Sequence, residues 1–361
     1  MTELLIRWPS RDAAADRLLA QLAPDRVIGG EPVDGAITRG LWPGTRDTPR
    51  KQGDADIASA SREPWVDANG YLAAFEKALG TPALLAHQHN DESRGVPFDT
   101  LELALIEARV NGGNFVLSVE PRYRKALLAN DPQALEAWAN LARTAKWLRA
   151  NALLFARPAR PIVTALVERS IASSEIANLL YRRGASPLLT AKVPAPSPGI
   201  LALVAAGLKA VPPAAFDHAR AGATVVIDNP PPPEARVIKT DPDRRILSLG
   251  KGQIVAYNKR IADPSEFALD VIDIVTHRRR AARLWNAPAT IPLATEGGLL
   301  HLINYSSAPA AEMQVRFQGN FTRATLTSPG APPEELKIFK RAEMSEVFPP
   351  PVRRVATIQF R

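Results

Sequence analysis

The sequence predicts an α/β protein in three parts: a shortened TIM-barrel-like domain over residues 1–158, a second parallel α/β domain over 159–283, and a C-terminal all-β sandwich over 284–361. Three observations predict it. Strand-like and helix-like runs alternate through the first two parts, the pattern of parallel strands joined by right-handed crossovers. The run Thr224-Val-Val-Ile-Asp228 is continuous and β-branched, as a strand covered on both faces is. Beyond residue 284 the runs become short and alternating and are broken by Gly, Pro and Ser, the rhythm of packed antiparallel sheets.

Taken in order, Leu4 to Trp8 reads as a strand, and Arg11 to Leu22 as a helix with Ser10 as its N-cap. Arg26 to Gly30 is a short strand ending at Glu31, and Ile57 to Ser61 a weaker one leading to Glu63, Trp65 and Asp67. Ala68 to Leu79 is helical, Pro82 to His87 a strand, Thr100 to Val110 a helix stopped by Gly112-Gly113, and Phe115 to Val119 a strand. Pro132 to Asn151 is a long amphipathic helix carrying Trp138 and Trp147. A complete eight-stranded barrel takes at least about 200 residues, so the first part is a barrel with very short strands or an incomplete one.

The second part opens with the buried strand Pro161 to Val167, followed by a helix to Tyr181 capped by Ser173 or Ser174. Pro187 to Ala191 is a strand, Gly199 to Ala210 a helix, Ala215 to Ala221 a short helix, and Thr224 to Asp228 a strand. The prolines of 229–233 make a rigid loop, because proline cannot donate to a ladder. Gly250 to Tyr257 is a turn feeding a strand, and Pro264 to Val275 a helix. In the third part, Leu299 to Tyr305, Glu312 to Phe317, Ala324 to Leu326, Leu336 to Phe339 and Val355 to Phe360 read as strands.

The 361 residues are 46% hydrophobic, enough for two or three cored domains. The chain has no cysteine, which excludes disulfides, thiolate nucleophiles and cysteine-ligated metals. The compartment is left open, since cysteine-free chains suit cytosol and periplasm alike; no signal peptide or membrane anchor is readable at the N-terminus. The net charge is +8, but the 45 basic and 37 acidic residues are intermixed, as on a solvated surface and unlike a nucleic-acid-binding stripe. The run from His277 to Arg283 reads as a solvated helix end. No Gly-x-Ser-x-Gly elbow, Walker loop or complete dinucleotide fingerprint is present, and no cofactor is expected. Asn304-Tyr-Ser and Asn320-Phe-Thr match glycosylation acceptors by pattern alone.

Three carboxylates follow strand-like runs: Glu120, Glu31 and Glu63. Strand ends on a parallel barrel converge on one mouth, which makes Glu120 the first candidate for chemistry. Its bland reading is a turn-ordering acceptor before Pro121-Arg122. His87 and His89, two apart on a strand, face one way and with Asp91 could hold a metal for a metal-dependent hydrolase. With only five histidines in the chain, the pair more naturally orients substrate hydroxyls or ends a strand, so no metal is assigned.

The order of parts resembles bacterial glycoside hydrolases of the β-galactosidase type, family 42 and its relatives. The stretch Gly250 to Tyr257 with Asp263-Pro264 and the following helix is similar to the close of their flavodoxin/amidotransferase-like middle domain, and Gly298 to Ser306 to the opening of their terminal β-domain. The first part is shorter than such barrels, and the Asn-Glu pair that marks their acid/base strand is not found. The resemblance implies a saccharide as ligand, two carboxyl groups about 5 Å apart for retention or wider for inversion, and a homo-oligomer formed through the middle domain. Glu120, Glu63 and Glu31 are then the catalytic candidates. Trp65 is a stacking platform, and Asp67, His87, His89 and Arg122 are substrate contacts. The middle domain cannot hydrolyse glutamine, because that reaction takes a cysteine nucleophile. A non-catalytic relative that binds saccharide or serves assembly is the second expectation.

Overall fold

Five short parallel strands build the first sheet of the computed structural model, which describes residues 3–361 other than 30, 32, 40–41, 47–48, 53–54, 59–64, 82, 88–95, 260, 262–263 and 276–280. The elements run β1 (Leu5–Arg7), α1 (Ala13–Leu22), β2 (Arg26–Ile28), β3 (Ala36–Arg39), β4 (Gly44–Arg46), β5 (Pro49–Gln52), β6 (Ala55–Ala58) and β7 (Trp65–Asp67). They continue α2 (Gly70–Ala78), β8 (Leu84–His87), α3 (Thr100–Val110), β9 (Asn114–Ser118), α4 (Pro121–Leu128), α5 (Pro132–Ala150) and α6 (Ala152–Phe155).

The strand order is β2-β1-β9-β8-β3, all parallel. Three of the four steps, β1 to β2, β3 to β8 and β8 to β9, move one place in the same direction, while β2 to β3 runs from one edge of the sheet to the other. Crossovers that all turn the same way put their helices on one face of the sheet. Side-chain alternation divides the strands accordingly: Leu4, Ile6, Leu85, Phe115 and Leu117 join the helices in the main core, while Leu5, Leu84, Ala86 and Val116 form a separate small cluster on the other face. Trp138 of α5 is fully buried edge-on to Trp8, and its Nε1–H donates to Leu18 O at 3.0 Å. The N-cap of α1 is Asp12, not Ser10: its Oδ1 accepts from Ala14 N and Ala15 N at 2.9 and 2.8 Å.

The second sheet comprises β10 (Val163–Leu166), β11 (Leu188–Thr190), β12 (Ala202–Val204), β13 (Thr224–Ile227), β14 (Arg236–Thr240), β15 (Arg244–Leu249) and β16 (Gly252–Tyr257). Its order is β11-β10-β12-β13-β16-β15-β14, parallel up to β16 and antiparallel beyond. The winding reverses at β10, so both faces are covered by helices α7 (Ile171–Arg182), α8 (Phe216–Ala221) and α9 (Pro264–Asp270) and by neighbouring loops. The helix expected over Gly199 to Ala210 is β12 instead. From Ile200 to Leu208 nearly every residue is buried, as in a strand sandwiched on both sides, and such a run carries no period to tell the two apart. Ser170, and neither Ser173 nor Ser174, caps α7 by accepting from Ser173 N at 3.1 Å. The helix from Pro264 changes to a π-helical turn at Val271–Val275.

The remaining strands are β17 (Ala282–Trp285), β18 (Thr290–Thr295), β19 (Leu299–Asn304), β20 (Gln314–Gln318), β21 (Ala324–Thr327), β22 (Glu334–Leu336), β23 (Phe339–Arg341), β24 (Met344–Val347) and β25 (Val355–Phe360). They form two antiparallel sheets, β17-β20-β24-β23 and β18-β19-β25-β21-β22. Phe317 of the first stacks on Phe360 of the second at 4.6 Å, which places the sheets face to face. Among the described residues no helix is long and apolar enough to cross a membrane.

Candidate functional site

The carboxyl end of the first sheet brings Arg7 and Ser118 together. They are register partners on β1 and β9, and Arg7 Nη1 lies 3.4 Å from Ser118 Oγ. Both continue the face of Leu5 and Val116. Glu120 follows with extended backbone (φ −53°, ψ 142°), so the alternation carries it to that same face. Pro121 then starts α4: its φ is already helical, and its missing N–H is one a first turn cannot pair anyway. Glu120 therefore occupies the N-cap position, where a carboxylate meets the positive end of the helix. Its side chain is 11% exposed and lies 3.9 Å from Arg122 Nη2. Arg122 is itself fixed, donating to Val96 O at 2.5 Å and lying 4.7 Å over the Phe98 ring. Arg7 was not singled out by the sequence reading. Its signal was parity, since Leu5 and Arg7 must share a face at a strand end.

The other expected residues are dispersed. Glu31 is exposed, three residues beyond β2. Asp67 ends β7 buried, with its carboxylate 3.9 Å from Arg182 Nη2 of α7, so it faces the second sheet's helices. His87 ends β8 on the helix side, 2% exposed, with ring centres 4.5 Å from Trp42 and 5.1 Å from Phe115. Glu63, His89 and Asp91 lie outside the described residues, as does the side chain of Trp65. Among the described residues no group of three His, Asp or Glu side chains is placed to hold a metal ion.

A second polar centre escaped the sequence reading. Glu107, fully buried in α3, accepts from Asn69 N at 2.8 Å, Gly70 N at 3.2 Å, Asn69 Nδ2 at 3.2 Å and Tyr305 Oη at 3.1 Å. Tyr305 Oη lies 3.3 Å from Tyr181 Oη, which accepts from Asn111 Nδ2 at 3.0 Å. One carboxyl thus ties α3 to α7 and to the end of β19. Burial raises it to about pH 7 against the opposing pull of its donors. Beside it, Glu102 of α3 is held by Thr144 Oγ1 and Arg353, and Asp99 by Arg354.

A pocket of about 600 Å³ opens at the opposite end of the first sheet, lined by Leu4, Asp25, Leu105, Arg109, Leu148 and Arg149. Burial, with the charge of Arg149, lowers the Arg109 guanidinium to about 10.

No protein-family model and no curated protein matches the chain. Among solved structures, α-L-fucosidase isoenzyme 2 from Paenibacillus thiaminolyticus is similar with a TM-score of 0.53 at 10% identity, covering 81% of this chain and 62% of that one. A β-galactosidase from Bacillus circulans sp. alkalophilus gives 0.48 at 10% identity, covering 81% and 57%. An apo exo-carrageenase GH42 from Bacteroides ovatus gives 0.41 at 14%, covering 80% and 43%. The chain spans about three fifths of the fucosidase's length, and at this identity the likeness is one of fold. The chain has a mixed α/β fold similar to that of this fucosidase.

Proposed function

We propose that the chain is a carbohydrate-directed, glycoside hydrolase-like protein. Its saccharide is met at the carboxyl end of the first sheet by Glu120, with Arg7, Ser118 and Arg122 around it. The observation that carries this reading is the parallel order β2-β1-β9-β8-β3: it is the neighbour order of a barrel opened between β2 and β3, a fold in which the strand ends share one mouth. The fold likeness to a fucosidase supports the same choice of ligand class. The second sheet, with parallel strands ordered 2-1-3-4-5, supports a flavodoxin-like middle unit, and we divide the chain at about residues 158 and 283. Glu31 and Glu63 are retained as candidates for the partner carboxylate.

A non-catalytic relative that binds saccharide or serves assembly is the second reading, favoured by the pairing of Glu120 with Arg122 at 3.9 Å. A hydrolysis screen over aryl glycosides, run beside Glu120→Gln, decides between them. Turnover lost in the variant supports catalysis by Glu120, and equal turnover by both forms removes it from the mechanism. A homo-oligomer through the middle unit is part of the proposal, and a monomer in light scattering would remove it.

A further inference from the structure

The outer face of the sheet β17-β20-β24-β23 is built unlike the rest of the surface. Val315, Phe317 and Val347 alternate inward and are fully buried. The alternate positions Arg283, Trp285, Gln314, Arg316 and Glu346 fall on the outward side, with Phe339 opposite Glu346 in register. Glu346 is 1% exposed on that outward side because cations and an amide cover it. It accepts from Arg316 Nε and Gln314 Nε2 at 2.6 Å each, and from Arg341 Nε at 3.1 Å. Burial pushes this carboxyl up, but the bonds from Arg316, Gln314 and Arg341 outweigh it and hold it below the usual range.

Both arginines engage Glu346 through Nε, and no hydrogen bond from their η nitrogens is found among the described residues. Arg283, directly opposite Arg316 in register, has no acidic partner among them either. Two like charges facing across a strand pair repel. Here they are accommodated over one indole, with Arg283 and Arg316 at 4.8 and 4.7 Å from the Trp285 ring centre. Lys337 lies 5.1 Å over Phe339, whose ring meets that of Phe348 edge-on. Arg283, Lys337 and Arg341 are exposed, and Arg316 partly so, on the face that covers this buried carboxylate, and guanidinium groups are of the kind that bind carboxylate or sulfate in pairs.

We propose that this face binds an acidic polysaccharide, with its sulfate or carboxylate groups on the guanidinium groups of Arg283, Arg316 and Arg341. The preference for a saccharide over a single-stranded nucleic acid rests in part on the carbohydrate reading above. It also rests on the rings themselves: base stacking takes open aromatic faces, and Trp285 and Phe339 already carry cations.

The test is gel retardation and salt-stepped titration with dextran sulfate, polygalacturonate, neutral dextran and oligo(dT). The wild type is expected to bind one or both acidic polysaccharides and not neutral dextran. Arg283→Gln/Arg341→Gln should weaken binding at least about tenfold, as expected when two charge-assisted contacts are lost. Arg283→Gln alone breaks no ion pair among the described residues, so with an unchanged thermal unfolding midpoint it should still weaken binding, and unchanged binding by this folded variant would count against the proposal. Lys192→Gln/Lys209→Gln, on exposed positions elsewhere, should leave binding unchanged. Equal binding by wild type and face variants, equal loss in the lysine control, or tighter binding of oligo(dT) than of either acidic polysaccharide would overturn the proposal. Glu120→Gln leaves this face intact, so acidic-polysaccharide binding stands or falls separately from hydrolysis.

Discussion

Replacing Glu107 by Gln should abolish a distinct pH dependence of stability. The carboxyl is raised from 4.5 to about 7 by full burial. Between those limits the unfolded chain has released the proton while the folded chain still holds it. Stability contributed by the protonated group is therefore complete below pH 4.5 and lost as the pH rises through 7. At 1.36 kcal/mol per unit, the whole loss is about 3 kcal/mol, large beside the 5–15 kcal/mol typical of a domain. The amide keeps an acceptor for Asn69 N and Gly70 N and cannot ionise. Urea unfolding at pH 5, 6, 7 and 8, followed at the tryptophans, should give a wild-type midpoint that falls across this range and a Glu107→Gln midpoint that falls less. Other groups titrate equally in both proteins, so the difference isolates Glu107. Parallel profiles for the two proteins would refute the reasoning.

Three further outcomes follow from the same packing. Gly70→Ala would set a methyl 2.4 Å from Tyr181 Oη and 2.5 Å from Asn111 Nδ2, and should lower stability by about 1–3 kcal/mol, with part recovered in a Gly70→Ala/Tyr181→Phe double variant, as thermal unfolding can check. His301, buried and lowered to about 3, is neutral in the fold but protonated when unfolded below 6.5. Stability should thus fall as pH drops from 6.5 towards 3, and His301→Gln should flatten that limb in acid unfolding. Arg353→Met strands the fully buried Glu102 and should cost about 3–5 kcal/mol in urea unfolding, whereas pairing it with Glu102→Met should restore much of that loss.

What the sequence made legible was what is written locally. The apolar run at Phe115 to Val119, the prolines after Asp228 and the alternating runs beyond residue 284 each announce one element, and each stands near its expected place. β12 was misread because a strand buried on both faces and a buried helix are both simply apolar. The hairpin of β14 and β15 has little local signal, because the fully exposed β14, Arg236-Val-Ile-Lys-Thr240, shows no apolar alternation. Glu120 at the end of β9 was legible from the same local rule that makes strands end. Glu107 was not: its partner Tyr305 is 198 residues away, and in α3 it looks like any surface glutamate. His87 and His89 were expected to share a face at the mouth, but alternation sets His87 with Leu85, on the helix side.

The central claim is that the carboxyl end of the first sheet holds a sugar. A crystal soaked with a mixture of galactose, fucose and β-linked disaccharides tests it most directly. The account predicts a ring within hydrogen-bond reach of Glu120, with Arg7 or Arg122 on its hydroxyls, and loss of that ring in crystals of Glu120→Ala. Saccharide bound only in the 600 Å³ pocket beside Arg109 and Arg149, with none at Glu120, would contradict it.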